Sequence, residues 1–252
     1  MAIITLATDF GRQDGYNGAV IGVIKTMSPR SEVVEITSEL GSILKASLVL
    51  WRYYSQYPLG TIHLVVVDPT VGTERRALVG TDGKYLFVGP DNGLFTRIIE
   101  DGSDSTWYEI DTAKLPVHEL SYTFHARDIF APAAAMLSIG KAPEILGRKI
   151  ADPVTIELPE PAIKGNMTKG EIIDIDSFGN LIINIPGEML RGEAKVMLRE
   201  KNVPLHQTFA DVKVGYPVAY IGSLGLLEVA VNRGRADSHF RAKVGTKVIV
   251  KI

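Results

Sequence analysis

"TIHLVVVDPTVGTERRA", residues 61–77, runs from an apolar strand into an acid, a proline, a glycine and two arginines. Residues 61–68 read as a buried strand with Asp68 where the apolar run stops. Pro69 and Gly72 are turn chemistry, and they hold Arg75 and Arg76 close behind the acid. Taken alone, the stretch is either a strand end with a solvated turn or half of a polar site. Its neighbours along the chain decide which.

Upstream, the same pattern appears. "IITLATD" (3–9) is a strand ending in Asp9, and "EVVEIT" (32–37) is a second strand. Between them Val20, Val23, Ile24 and Met27 fall at helical spacing, and Pro29 closes that helix. Ile43, Ala46, Leu50 and Tyr53 mark a second helix, with Ser42 as its N-cap and its end before Pro58. "KYLFVGP" (84–90) is a further strand, residues 92–100 read as helical, and 127–140 form a helix with Pro132 in its first turn. Strands alternating with helices predict a Rossmann-like α/β sheet, mostly parallel, with helices on its faces.

The character changes at "DPVTIELPEPAIKG" (152–165), where three prolines interrupt a stretch without helical period. Beyond it lie short β-like segments at 171–176, 180–185, 194–199, 217–221, 226–231 and 246–251, separated by turns. The expected organisation is an N-terminal α/β domain over 1–155 and a linker over about 156–165. A small C-terminal antiparallel β-barrel domain then covers 166–252.

The bulk chemistry narrows the function. A net charge of −2 over 252 residues offers no basic field for nucleic acid or anionic lipid. No apolar run approaches the roughly 18 residues that span a bilayer. The absence of cysteine removes disulfides, thiolate metal sites and a cysteine nucleophile. With no cationic leader ahead of the first strand, a cytoplasmic protein is expected.

Candidate site residues follow from position. Ligands gather at the carboxyl ends of strands in open α/β sheets, where Asp9 and Asp68 stand. "TFHARDIF" (123–130) puts His125, Arg127 and Asp128 at a helix start, as a capped helix or as part of a site. These acids and a histidine also permit a divalent metal, although the familiar two-histidine ligand sets are missing. "GPDNGLF" (89–95) reads as a turn into a helix, capped by Asp91 or Asn92. "DIDSFGNLIINI" (174–185) is turn chemistry between apolar strands, yet Asp176, Phe178 and Asn180 offer an anion, a flat apolar face and an amide within five residues. They suit an ammonium group and a purine. "IGSLGLLEVAVNRGRA" (221–236) is a strand flanked by glycine-containing loops.

Six motifs in order, "TDFGRQDGY", "VVDPTVGTERRA", "FVGPDNGLF", "TFHARDIFAP", "DSFGNLIINI" and "SLGLLEVAVNRG", together resemble the S-adenosyl-L-methionine hydroxide adenosyltransferase family, relatives of fluorinase and chlorinase. The resemblance spans almost the whole chain. It implies hydrolysis of S-adenosyl-L-methionine to adenosine and methionine without metal or cofactor. It also implies a homotrimer with active sites between neighbouring subunits. The family's Asp-Arg-His set falls on Asp68, Arg75 and His125, and halogenating relatives carry a tyrosine in place of the acid. Asp9 matches the acid that holds the ribose hydroxyls, and Asp176 the acid near the methionine ammonium. Phe178 and Asn180 match residues on adenine, Ser223 a carboxylate contact, and Arg233 a backbone contact to the adenine edge. Thr70 and Ala126 stand where glycines are usual, and Leu224 where fluorinase has an arginine. The rival readings are a non-catalytic adenosine or S-adenosylmethionine binding module, and a metal-dependent hydrolase.

Overall fold

The structure is a computed structural model describing residues 1–251 except 102, 103, 118 and 191–193. The chain divides into two compact units, Met1–Ile156 and Glu157–Ile252.

In the first unit the strands are β1 (Ile3–Thr8), β2 (Glu32–Thr37), β3 (Ile62–Val66), β4 (Ala77–Thr81), β5 (Leu86–Pro90), β6 (Thr106–Ile110) and β7 (Gly147–Ile150). Their order is β2-β1-β3-β5-β4-β6-β7. The pairings from β2 to β5 are parallel, whereas β4 pairs antiparallel with β5 and β6, and β7 with β6. The sheet is therefore half antiparallel rather than mostly parallel. Sequence periodicity missed β4, β6 and β7 because each is short and mixes polar residues or glycine among its apolar ones. Gly80 also breaks β4 with a residue that has no side chain. A Cβ there would lie 2.3 Å from the Trp107 ring, so the glycine is what lets β6 pack closely.

Alternate residues of each central strand enter different cores, as the two-residue period requires. Ile62, Leu64 and Val66 join Ile4 and Leu6 beneath α1 (Tyr16–Met27) and the later α4 (Ala131–Ser138). Val65 and Val67 point the other way, toward Ala46 and Leu50 of α2 (Ile43–Tyr53) and Ile98 of α3 (Thr96–Asp101). The short α5 (Pro143–Leu146) precedes β7. Ser42 caps α2 as expected, accepting from the Lys45 amide at 3.1 Å. Thr8 is in register with Val66. Asp9 and Asp68, just past them, thus lie at one edge of the sheet, and Arg75 and Arg76 enter β4 from that same edge.

The helix read over 127–140 begins earlier. Residues 126–130 form a π turn that runs straight into α4. Pro132 sits in the first turn of the regular portion, and the wider turn ahead of it accommodates a residue without an amide proton. The helix expected from residue 92 starts only at Thr96, because Asn92 and Gly93 are spent on the turn before it.

The second unit is an antiparallel sheet of β8 (Ala162–Lys164), β9 (Met167–Ile175), β10 (Leu181–Pro186), β11 (Lys195–Leu198), β12 (Lys201–Val203), β13 (Pro217–Ile221), β14 (Leu226–Val231) and β15 (Lys247–Lys251). The order is β12-β11-β15-β9-β10-β14-β13, with β8 added on β9. A bridge from Leu205 to Ala219 brings the chain after β12 alongside β13, so the sheet nearly closes on itself. Leu181, Ile183, Ile185, Leu227, Val229, Val248 and Val250 fill the interior, with Phe240 of α6 (Ala236–Phe240) packed among them. This is the small barrel expected, with the additional short helix α6.

Candidate active site

Asp68 leaves the end of β3 with its backbone fixed from two sides. The Asn92 side-chain amide donates to the Val67 carbonyl at 2.8 Å, and the Val71 amide donates to the Asp68 carbonyl at 3.3 Å. Gly72, at φ +82°, completes the turn in a conformation that glycine adopts without strain. A Cβ at Gly72 would also collide with the Tyr122 carbonyl at 2.6 Å. The turn returns the chain so that Arg75 faces Asp68.

The Arg75 guanidinium donates through Nε to Asp68 Oδ1 at 3.0 Å and Oδ2 at 2.9 Å, and through Nη2 to Oδ2. Both side chains are almost wholly buried, 8% and 5% exposed, so this pair is well shielded from solvent. The Phe130 ring lies 5.2 Å beneath the guanidinium. Nη2 also lies 2.8 Å from His125 Nδ1. Because arginine only donates, Nδ1 is the acceptor and the ring proton resides on Nε2. Burial, then the Arg75 cation, lowers the His125 pKa below the usual imidazole value, against the pull of Asp68 and Asp128. The ring is neutral at pH 7.

Asp9 emerges from β1 on the exposed rim. Partial burial and, more weakly, the Asp68 charge raise its pKa, against a backbone hydrogen bond that lowers it. Phe10, Tyr16 and Phe124 form an edge-on cluster with centroids 5.3–6.0 Å apart. These rings were not singled out from sequence; the available signal was that Phe10 and Phe124 directly adjoin Asp9 and His125. Ala126, buried at the start of the π turn, follows the histidine. A cleft of about 510 Å³ reaches Arg75 and His125 between Gly72, Thr112 and Tyr122.

Other polar residues near the site have structural partners. Arg76 turns away from Asp68, donating to Asp91 at 2.6 Å and to Asp152 at 2.9 Å. Asp91 also accepts from the Val154 amide, so it fastens 152–154 to the sheet rather than capping α3. Asp128 accepts from Arg127 and from the Ser121 amide at 2.8 Å, which pins the loop before His125. Burial raises the Asp128 pKa, but those donors outweigh it and leave the carboxyl below the ordinary range.

In the second unit, Asp176 accepts from the Asn180 amide at 2.8 Å and from its side-chain Nδ2 at 2.9 Å. Gly179 at φ +85° makes this closure possible. The turn projects Phe178, which is 75% exposed. Ser223 sits on a turn closed by Gly222 and Gly225 amides, and Arg233 adopts a left-handed backbone at φ +54°. Tyr220, unnoticed in sequence, donates to Glu228 at 2.7 Å. Burial, then Glu228, then the Asp176 charge push its phenol up. Among the described residues, no group of three or more His, Cys, Asp or Glu side chains could hold a metal ion.

Residues 4–147 match the family model for the SAM hydroxide adenosyltransferase N-terminal domain, and 170–249 the one for its C-terminal domain. An (R)-S-adenosyl-L-methionine hydrolase of Thermus thermophilus is 37% identical, covering 98% of this chain and 99% of the relative. A fluorinase of Actinoplanes is 25% identical over 98% of this chain and 97% of its own. The crystal structure of a conserved protein from Thermotoga maritima superimposes with a TM-score of 0.91 at 32% identity, over the full length of both chains. The chain belongs to the SAM hydroxide adenosyltransferase family.

Proposed function

We infer that the protein hydrolyses S-adenosyl-L-methionine to adenosine and L-methionine, by attack of water at the ribose C5′. The single observation that carries this reading is the buried Arg75, which holds Asp68 and His125 on one guanidinium. The sulfonium departs as a neutral thioether and needs no proton, so the protein's task is to orient water and keep other nucleophiles away. Attack by water releases a proton, and a carboxylate is suited to take it. His125 has committed Nδ1 to Arg75 and presents Nε2–H, so it acts as a donor to the water oxygen. Asp68 is left as the proton acceptor. Arg75 orients Asp68 and stabilises negative charge developing on the water.

Asp9, at the rim beside the aromatic cluster, would accept from the ribose hydroxyls. Asp176 would face the methionine ammonium, Phe178 and Asn180 would pack against and bond adenine, and Ser223 and the Arg233 backbone would complete the contacts. The working assembly is a homotrimer in the cytoplasm, with sites between neighbouring subunits and no metal or cofactor.

The test is incubation of purified protein with S-adenosylmethionine and a chelator, followed by chromatography. Adenosine and methionine are expected in equal amounts above the enzyme-free control. Binding without turnover would leave a binding module, and activity abolished by the chelator would leave a metal-dependent hydrolase.

A further inference from the structure

Resting on that hydrolytic reading, we propose that the Thr70 hydroxyl relays the proton of the attacking water to Asp68. Thr70 Oγ1 donates to Asp68 Oδ1 at 3.3 Å. The carboxylate is 5% exposed, whereas Thr70 is exposed, so the hydroxyl lies on the solvent side of the acid. Its backbone is held: the Thr73 amide and hydroxyl both donate to the Thr70 carbonyl, at 3.2 and 2.8 Å.

Counting lone pairs shows why the hydroxyl matters. A carboxylate oxygen accepts about two hydrogen bonds. Oδ2 accepts Nη2 of Arg75, Oδ1 accepts the Thr70 hydroxyl, and the single Nε hydrogen of Arg75 is shared between the two oxygens. With the carboxylate only 5% exposed and its Oδ1 covered by the exposed Thr70, a water approaching Asp68 meets the Thr70 oxygen first. A threonine hydroxyl donates one proton and accepts on the same atom, so it can receive a proton while passing its own onward. His125, whose Nδ1 is occupied by Arg75, offers no competing acceptor on this network.

The step balances. The water oxygen bonds to C5′ as the C5′–S bond breaks, and that electron pair leaves on sulfur as the methionine thioether. One water proton moves to Thr70 Oγ1 while the Thr70 proton moves to Asp68 Oδ1. Adenosine keeps the remaining O–H, and Asp68 later loses its proton to solvent. Catalytic hydrogen bonds are often long before substrate binds and tighten in the reacting complex, consistent with 3.3 Å here.

The test compares wild type, Thr70→Ser, Thr70→Val and Thr70→Gly for adenosine formation, melting temperature and solvent-deuterium proton inventory. Thr70→Val is expected to lose kcat by at least about 10-fold with KM and melting temperature unchanged, and Thr70→Ser to stay within about twofold of wild type. The proton inventory is bowed in wild type, with two protons in flight, and straight in Thr70→Gly, where water reaches Asp68 directly. Undiminished kcat in Thr70→Val, an equal loss in Thr70→Ser, or a straight wild-type inventory overturns the relay while leaving hydrolysis intact. Absence of adenosine from wild type overturns the hydrolytic reading, and the relay with it.

Discussion

Arg75 Nη2 lies 2.8 Å from His125 Nδ1 while the same guanidinium grips Asp68 through Nε and Nη2. One side chain thus positions two others. It holds the acid by charge-assisted hydrogen bonds and directs the imidazole proton to Nε2.

His125 should titrate below the ordinary imidazole value near 6.5, because burial and the Arg75 cation both disfavour its charged form. Activity that needs the neutral ring is then expected to hold through pH 6.5 and fall only at more acidic pH. Imidazole NMR titration beside a kcat profile checks this. A His125 resonance titrating above 6.5 would contradict it.

Arg75→Lys keeps a positive charge but not the planar fork that reaches both partners. We expect kcat to fall about 100-fold with little change in KM, the loss typical of a preorganised charge contact. Steady-state kinetics on wild type and variant decide it, and a loss confined to KM would move Arg75 from chemistry to binding.

Asp9 is expected to act in binding. Asp9→Ala should raise KM by about 10- to 100-fold, the worth of a hydrogen bond to a charged group, with kcat nearly intact. Its raised pKa adds a sign: as pH falls, the carboxylate is lost earlier than an ordinary one, so wild-type KM should climb at a pH above the usual carboxylate range. KM measured across acidic pH tests both.

Arg76 and Asp91 should matter for stability instead. The Asp91 side chain is 1% exposed, so Arg76→Ala leaves a buried carboxylate without its cation, held only by the Val154 amide, and should cost about 3 kcal/mol in denaturant unfolding. Kinetic constants below the melting range should change little.

His63 supplies a second pH dependence, remote from the chemistry. It is fully buried among Tyr53, Tyr54, Tyr57, Tyr85 and Phe87, and burial pushes its pKa down to about 3. The unfolded chain binds that proton near pH 6.5 and the folded protein does not, so stability is full above 6.5 and declines as pH falls below it. Unfolding free energies of wild type and His63→Phe between pH 7.5 and 5 should diverge by about 2 kcal/mol, and parallel curves would contradict the assignment.

Much of this was legible in the chain. Strands such as Ile62–Val66 are apolar on both faces and end in acids, so the parallel half of the sheet and the positions of Asp9 and Asp68 could be read directly. The antiparallel half could not, since β4 exists by cross-strand pairing and by the fit of Trp107 onto Gly80, neither of which leaves a period. Side-chain direction was equally hidden. Arg75 and Arg76 are adjacent letters, yet one faces the acid of the site and the other Asp91. The letter Thr70 shows only a departure from the usual glycine; that its hydroxyl donates to Asp68 is visible only in the fold.

The central claim is that water, held by Asp68, Arg75 and His125, attacks the ribose C5′. Turnover in water labelled with heavy oxygen, read by mass spectrometry of the products, tests it most directly. The label is expected in the 5′-hydroxyl of adenosine and absent from methionine. Label in the amino-acid product, or adenosine without it, would contradict the account.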